Sequence, residues 1–142
     1  MTALHQASCV AIGGRAVLIE GPPGSGKSSL ALALIDRGAV LVGDDGVLLE
    51  PRAGHLYANP APTIAGLIEV RNVGLLVYPT TAQVSVALVV QLDSAAPRFI
   101  DAAEVTHRAG IAVPLVRLWP NSPVLALRAE AALAQWGAIE GE

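Results

Sequence analysis

The chain has 142 residues, a net charge of −3 and an apolar fraction of 53%. That length supports a single domain, expected to span residues 1–142, with a substantial buried core. The acidic balance excludes bulk nucleic-acid binding, which needs a basic face, and no run reaches the roughly 18 uninterrupted apolar residues of a membrane span.

In chain order, Leu4 to Ile12 reads as a first strand that turns at Gly13-Gly14, and Ala16 to Ile19 as a second. Next comes Gly21-Pro22-Pro23-Gly24-Ser25-Gly26-Lys27-Ser28, a full Walker A phosphate loop. A helix is expected from about Ser28 to Arg37, stopped by Gly38. Val40 to Val42 is strand-like and runs into Gly43-Asp44-Asp45-Gly46. Val47 to Glu50 and His55 to Ala58 pair across a turn at Pro51 to Gly54. Asn59 to Thr63 is a loop stiffened by prolines, with Thr63 expected to cap a short helix through Leu67. Ile68 to Val73 is a mixed stretch carrying charge. Gln83 to Leu92 is an apolar strand, and Ile100 to Ala109 reads as helical or irregular. Ile111 to Leu118 is a strand whose Pro114 suggests a sheet edge. Ser122-Pro123 caps a last amphipathic helix to about Trp136, with Leu125, Leu127, Ala132 and Leu133 among its apolar positions. The sum is an α/β P-loop domain. Its mixed, strand-rich sheet surrounds the phosphate-loop helix, and a helix closes the chain. Strands cluster after that helix rather than alternating with helices.

Backbone N–H groups of a glycine-rich turn wrap nucleotide phosphates, the lysine reaches the β and γ phosphates, and the serine hydroxyl ligates Mg²⁺. Residues 21–28, extended by Ser29, are therefore the expected ATP-binding set. Lys27 is the only lysine in the chain. Asp44 and Asp45 end a buried strand, and neighbours on an extended chain point to opposite sides. One can then face Mg²⁺ and phosphate while the other faces the acceptor. Glu69, between Ile68 and Val70, reads as a solvated strand face or a metal ligand, and Arg71 as its partner or a phosphate contact. His5, His55 and His107 by themselves read as ordinary surface or core histidines. Cys9, the only cysteine, excludes an internal disulfide, fits a reducing cytoplasm and reads as a small core residue. The N-terminus carries no signal-peptide pattern.

Taken together, these pieces resemble the C-terminal catalytic domain of bacterial HPr kinase/phosphorylase. The resemblance rests on Leu4-His5, the phosphate loop, Arg37-Gly38, Leu41-Val42-Gly43-Asp44-Asp45, and Ile68-Glu69-Val70-Arg71-Asn72-Val73-Gly74-Leu75-Leu76. It implies an ATP- and Mg²⁺-dependent kinase for a serine of the phosphocarrier protein HPr. It also implies the reverse reaction, in which inorganic phosphate removes that phosphoryl group. Lys27 would stabilise the transferring phosphate, and Ser28 with Glu69 would bind Mg²⁺. The aspartate pair would supply the base, Asp45 favoured and Asp44 supporting metal or loop. His5 would be a further site residue. The chain departs from the family pattern at Ser29, where glutamate is usual, at Asn72, where glycine is usual, and at Val116 to Asn121, which lacks a Gly-Arg pair. The N-terminal regulatory domain of longer members has no counterpart in these residues, so a naturally short form or an excised domain is expected. The family implies a hexamer. A small-molecule kinase and a non-catalytic, ATP-gated regulatory module are the alternatives.

Overall fold

A computed structural model describes residues 2–139. The first strand-like stretch is two strands, β1 (Ala3–His5) and β2 (Ser8–Ile12). The chain reverses at Gly13 and Gly14, whose φ values of 57° and 84° suit residues without a Cβ. It returns as β3 (Arg15–Glu20), antiparallel to β2. After the phosphate loop comes α1 (Lys27–Asp36). Gly38, at φ 108°, ends it, with the Gly38 and Ala39 N–H groups donating to the Ile35 and Leu34 carbonyls.

Strands β4 (Val40–Gly43), β5 (Val47–Arg52) and β6 (His55–Pro60) follow. The hairpin β7 (Leu67–Val70) and β8 (Gly74–Val77) forms a small separate sheet. Then come β9 (Val84–Leu92), β10 (Glu104–Arg108), β11 (Ile111–Leu118) and α2 (Leu125–Trp136).

Strand β9 is the hub. It runs parallel to β3 along one edge and parallel to β11 through Val89–Leu92 on the other. Its first residues pair instead with β6, at Tyr57–Ser85 and Ala58–Val84. Because β2 is antiparallel to both β3 and β4, those two run the same way. Strands β3, β4, β9 and β11 therefore finish at one edge of the sheet, where ligands of open α/β sheets gather.

Alternation along β3 splits the interior into two cores. Val17 and Ile19 join Leu30, Leu34, Leu88, Leu125 and Leu133 beneath the two helices. Ala16 and Leu18 join Cys9, Val47, Leu49, Leu56 and Ala58, where the β5–β6 ladder covers the other face. The valine-rich strands are thus buried on both sides.

Four local expectations change. Residues 104–108 are strand β10, since each pairs with a residue of β11. Strand β11 is not an edge: Pro114 lies opposite Val105 and one residue before the β9 ladder begins at Leu115, so its missing N–H leaves that ladder intact. Thr63 sits in a 3-10 turn, Pro62–Ile64, with no side-chain cap. The chain then turns sharply at Gly66 (φ 79°), where a Cβ would lie 2.9 Å from the Tyr78 carbonyl. In α2, Leu127 faces outward and is 47% exposed. The helix begins at Leu125, with the Ser122 hydroxyl accepting from the Val124 N–H at 3.2 Å. Among the described residues no helix is long and apolar enough to cross a membrane.

Candidate active site

The phosphate loop leaves the end of β3 as a turn that only small residues allow. A Cβ on Gly21 would lie 2.6 Å from the Ser25 hydroxyl, and Gly24 and Gly26 adopt φ of 78° and 99°. The Ser25 Oγ is buried without a hydrogen-bond partner. The Lys27 ammonium donates to the Gly21 and Pro22 carbonyls at 2.9 and 3.3 Å, bridging the loop's root.

Topology brings the two aspartates to this loop and gives them different surroundings. Asp44, 6% exposed at the end of β4, accepts the Ser28 hydroxyl at 2.8 and 2.9 Å and the Ser8 hydroxyl at 2.7 Å. Those donors compensate a carboxylate taken out of water. Gly43 makes the tight exit possible, since a Cβ there would meet the Gly46 carbonyl at 2.6 Å. Asp45 adopts φ 64°, a left-handed conformation that aspartate tolerates better than most residues, and its exposed side chain lines the cleft. The two carboxylates differ in exposure because the chain bends after β4 with Asp45 left-handed, and not because an extended strand alternates. Asp44 braces the phosphate-loop serine and Asp45 faces the opening.

The cleft has a volume of about 820 Å³. Glu69 and Arg71 line it from the β7–β8 hairpin, and Ser29 and Ala33 from α1. Sequence reasoning missed two contributors. Gln6, in the break between β1 and β2, reaches the cleft, and so does the segment Pro120 to Ala126 ahead of and into α2. The second was legible only as the altered family segment ending at Asn121 and as a Ser122-Pro123 helix cap, and the structure shows no side-chain cap on that helix. Among the described residues, no group of three His, Cys, Asp or Glu side chains is placed to hold a metal ion. Ser28, Asp44 and Glu69 are oxygen-bearing side chains that line the cleft, with the Ser28 hydroxyl donating to Asp44.

His5 is not among the residues lining the cleft. Its Nε2 lies 2.6 Å from Glu20, which also takes a two-pronged contact from Arg108 at 2.6 and 3.0 Å. Burial by itself would raise the Glu20 pKa. Hydrogen bonds from His5 and Arg108, with their charges, outweigh it and hold the carboxyl at about 2. The signal was the alternation of β3, which turns Glu20 toward the face away from the helices. The family resemblance offers Arg98 or Arg108 as a loop arginine, but no local pattern pointed to the pairing of Arg108 with Glu20. Arg117, in the segment where the family pattern is altered, is tied to Glu104 at 2.7 Å and Asp93 at 3.3 Å. His55 lies at the start of β6 and His107 is exposed on β10. Cys9 is fully buried, and burial pushes its thiol pKa well above the ordinary range. It is a core residue rather than a nucleophile.

Known proteins match this arrangement. A family model described as "HPr Serine kinase C-terminal domain" matches residues 1–110. An HPr kinase/phosphorylase from Exiguobacterium sp. is 35% identical over 119 residues, covering 78% of this chain and 36% of that protein. One from Streptococcus gordonii is 32% identical over 118 residues, covering 74% and 38% respectively. One from Mycoplasmopsis pulmonis is 46% identical over 68 residues, covering 47% and 22%. The chain thus spans well under half the length of these curated relatives. A solved structure, the Hpr(Ser) kinase/phosphatase from Coxiella burnetii, superposes with a TM-score of 0.82 at 27% identity, covering 93% of this chain and 94% of that one. With the matched residues taking in the phosphate loop, both aspartates and the β7–β8 hairpin, the chain belongs to the HPr serine kinase C-terminal domain family.

Proposed function

We propose that the chain binds ATP with Mg²⁺ in this cleft and transfers the γ-phosphoryl group to a serine of an HPr-type phosphocarrier protein. One observation carries the reading. The Ser28 hydroxyl is bonded to buried Asp44, while Asp45 stands next to it on the open side. Phosphoryl transfer needs held phosphates, a metal and a group for the acceptor proton, and these residues meet those needs in one place.

The residues fit such a nucleotide. The buried Ser25 hydroxyl lacks a protein partner, and the positive-φ glycines leave backbone exposed for close approach. Bound Mg·ATP supplies the activated phosphoryl group. Lys27 would leave the Gly21 and Pro22 carbonyls to offset charge on the phosphates. Ser28 and Glu69 would hold the metal, with Asp44 fixing the serine hydroxyl. Asp45 would accept the proton of the attacking serine and return it in the reverse direction, since reversal of a proton transfer uses the same group. His5 would act from the far face through Glu20, which directly precedes Gly21. Removal of the phosphoryl group by inorganic phosphate, a cytoplasmic setting and assembly into a hexamer complete the reading. Sedimentation of the purified chain tests the hexamer, and a monomer at all concentrations would remove it.

The direct test incubates the chain with γ-labelled ATP, Mg²⁺ and an HPr-type protein, then locates the label. Label on a serine of that protein is expected. Label on a small metabolite would make the chain a small-molecule kinase, and bound ATP without transfer would make it a regulatory module.

A further inference from the structure

The cleft is chemically lopsided. The phosphate loop follows β3, with β2 and β4 on one side and β9 and β11 on the other. On the β4 side stand Asp44, Asp45 and Glu69, with Arg71. On the β11 side, the wall from Pro120 to Ala126 carries no ionisable side chain. Ser29 and Ala33, one turn apart on α1 and exposed, line the same cleft.

This neutral wall is built rather than loose. The Trp119 indole donates to the Ala96 carbonyl at 2.7 Å, tying it to the loop after β9. Arg128 lies over the Trp119 ring at 5.5 Å. The Ser122 hydroxyl accepts from the Val124 N–H, and the neighbouring Asn121 amide on the same lining carries both a donor and an acceptor for a ligand. A cleft of about 820 Å³ lies within the range, about 300–1,000 Å³, of sites that enclose a whole small ligand.

We infer that the slot between Ser29–Ala33 and Pro120–Ala126 is the subsite for the nucleobase and ribose. Asn121 is placed at the base's polar edge, and the inference rests on the nucleotide reading above. A neutral, planar, largely apolar group gains from burial against proline, leucine and alanine. The carboxylates at the opposite end suit the metal and the acceptor hydroxyl. The two ends of the cleft therefore assign the two ends of the nucleotide. The wall lies in the C-terminal segment, beyond the residues 1–110 matched by the family model.

The test compares ATP with methyl triphosphate, which carries the triphosphate without ribose or base, by calorimetry with Mg²⁺. Wild type should bind ATP at least about tenfold more tightly. Ala33→Trp, at an exposed helix position, should lower ATP affinity by about tenfold or more, leave methyl triphosphate binding unchanged and keep the thermal midpoint. Asn121→Ala should narrow the preference between ATP and GTP. Equal wild-type affinity for the two triphosphates would overturn the inference, and so would an Ala33→Trp variant that loses both or neither. If wild type binds neither triphosphate, the nucleotide reading itself falls.

Discussion

Asp44 and Asp45 are neighbours with opposite environments, and that difference separates their effects on substitution. Asp44 satisfies two hydroxyls, one of them on Ser8, which is 1% exposed. Asp44→Ala leaves that buried donor unpaired and should cost about 1–3 kcal/mol of stability, read by urea unfolding. Asp45 is exposed and makes no such contribution. Asp45→Asn keeps a side chain that tolerates φ 64°. Its stability should stay within about 0.5 kcal/mol of wild type. Its transfer rate to an HPr-type protein should fall by about 10²–10⁴-fold, with ATP affinity retained. Full activity in this variant would move the base elsewhere. On the proposed role of Lys27 as a charge at the transferring group, Lys27→Ala should lower transfer by on the order of 10²–10³-fold.

At the scale of elements, the β10–β11 hairpin is pinned to the root of the phosphate loop by Arg108 on Glu20, with His5 of β1 on the same carboxylate. Glu20 has its pKa lowered from 4.5 to about 2, so its pairing adds stability that is fully present above pH 4.5. That stability is lost as pH falls toward about 2. Glu20→Gln should therefore be less stable than wild type at pH 7. The gap measured by denaturant unfolding should close as pH is lowered through this range. A gap that stays constant with pH would mean that Glu20 contributes by packing rather than by charge.

At the scale of the molecule, β9 joins both cores, and the C-terminal segment covers what the earlier strands leave open. Leu88 is fully buried under the helices, whereas Leu127 is 47% exposed. Leu88→Ala should cost about 2–5 kcal/mol, and Leu127→Ala within about 0.5 kcal/mol. The single-domain reading makes a stronger prediction. Truncation after residue 110 strips β11 from β9 and removes α2 from the helix-side core. That fragment should show no cooperative thermal transition. A cooperative transition would make residues 111–139 a separate appendage.

The phosphate loop, its flanking strand and helix, the β5–β6 hairpin and the paired aspartates were all legible in the sequence. Each depends on short-range spacing: fixed glycines, alternation, or a turn between apolar runs. Short-range spacing failed where the partner lay far along the chain. Residues 104–108 carry no strong strand signal and become a strand because β11 pairs with them. Pro114 looked like an edge because one sequence shows a missing donor but not the register in which it is missed. Glu20 meets Arg108 across 88 positions, and no local pattern records that contact. The sequence alone determined the phosphate-loop turn and which carboxylates stand near it, because backbone sterics set the loop and its spacing. Only the tertiary structure decided which aspartate is buried on Ser28 and which is open. It also decided that the loop after β11 and the start of α2 wall the same cleft as Asp44 and Asp45, because parallel strands distant in sequence finish together at one sheet edge.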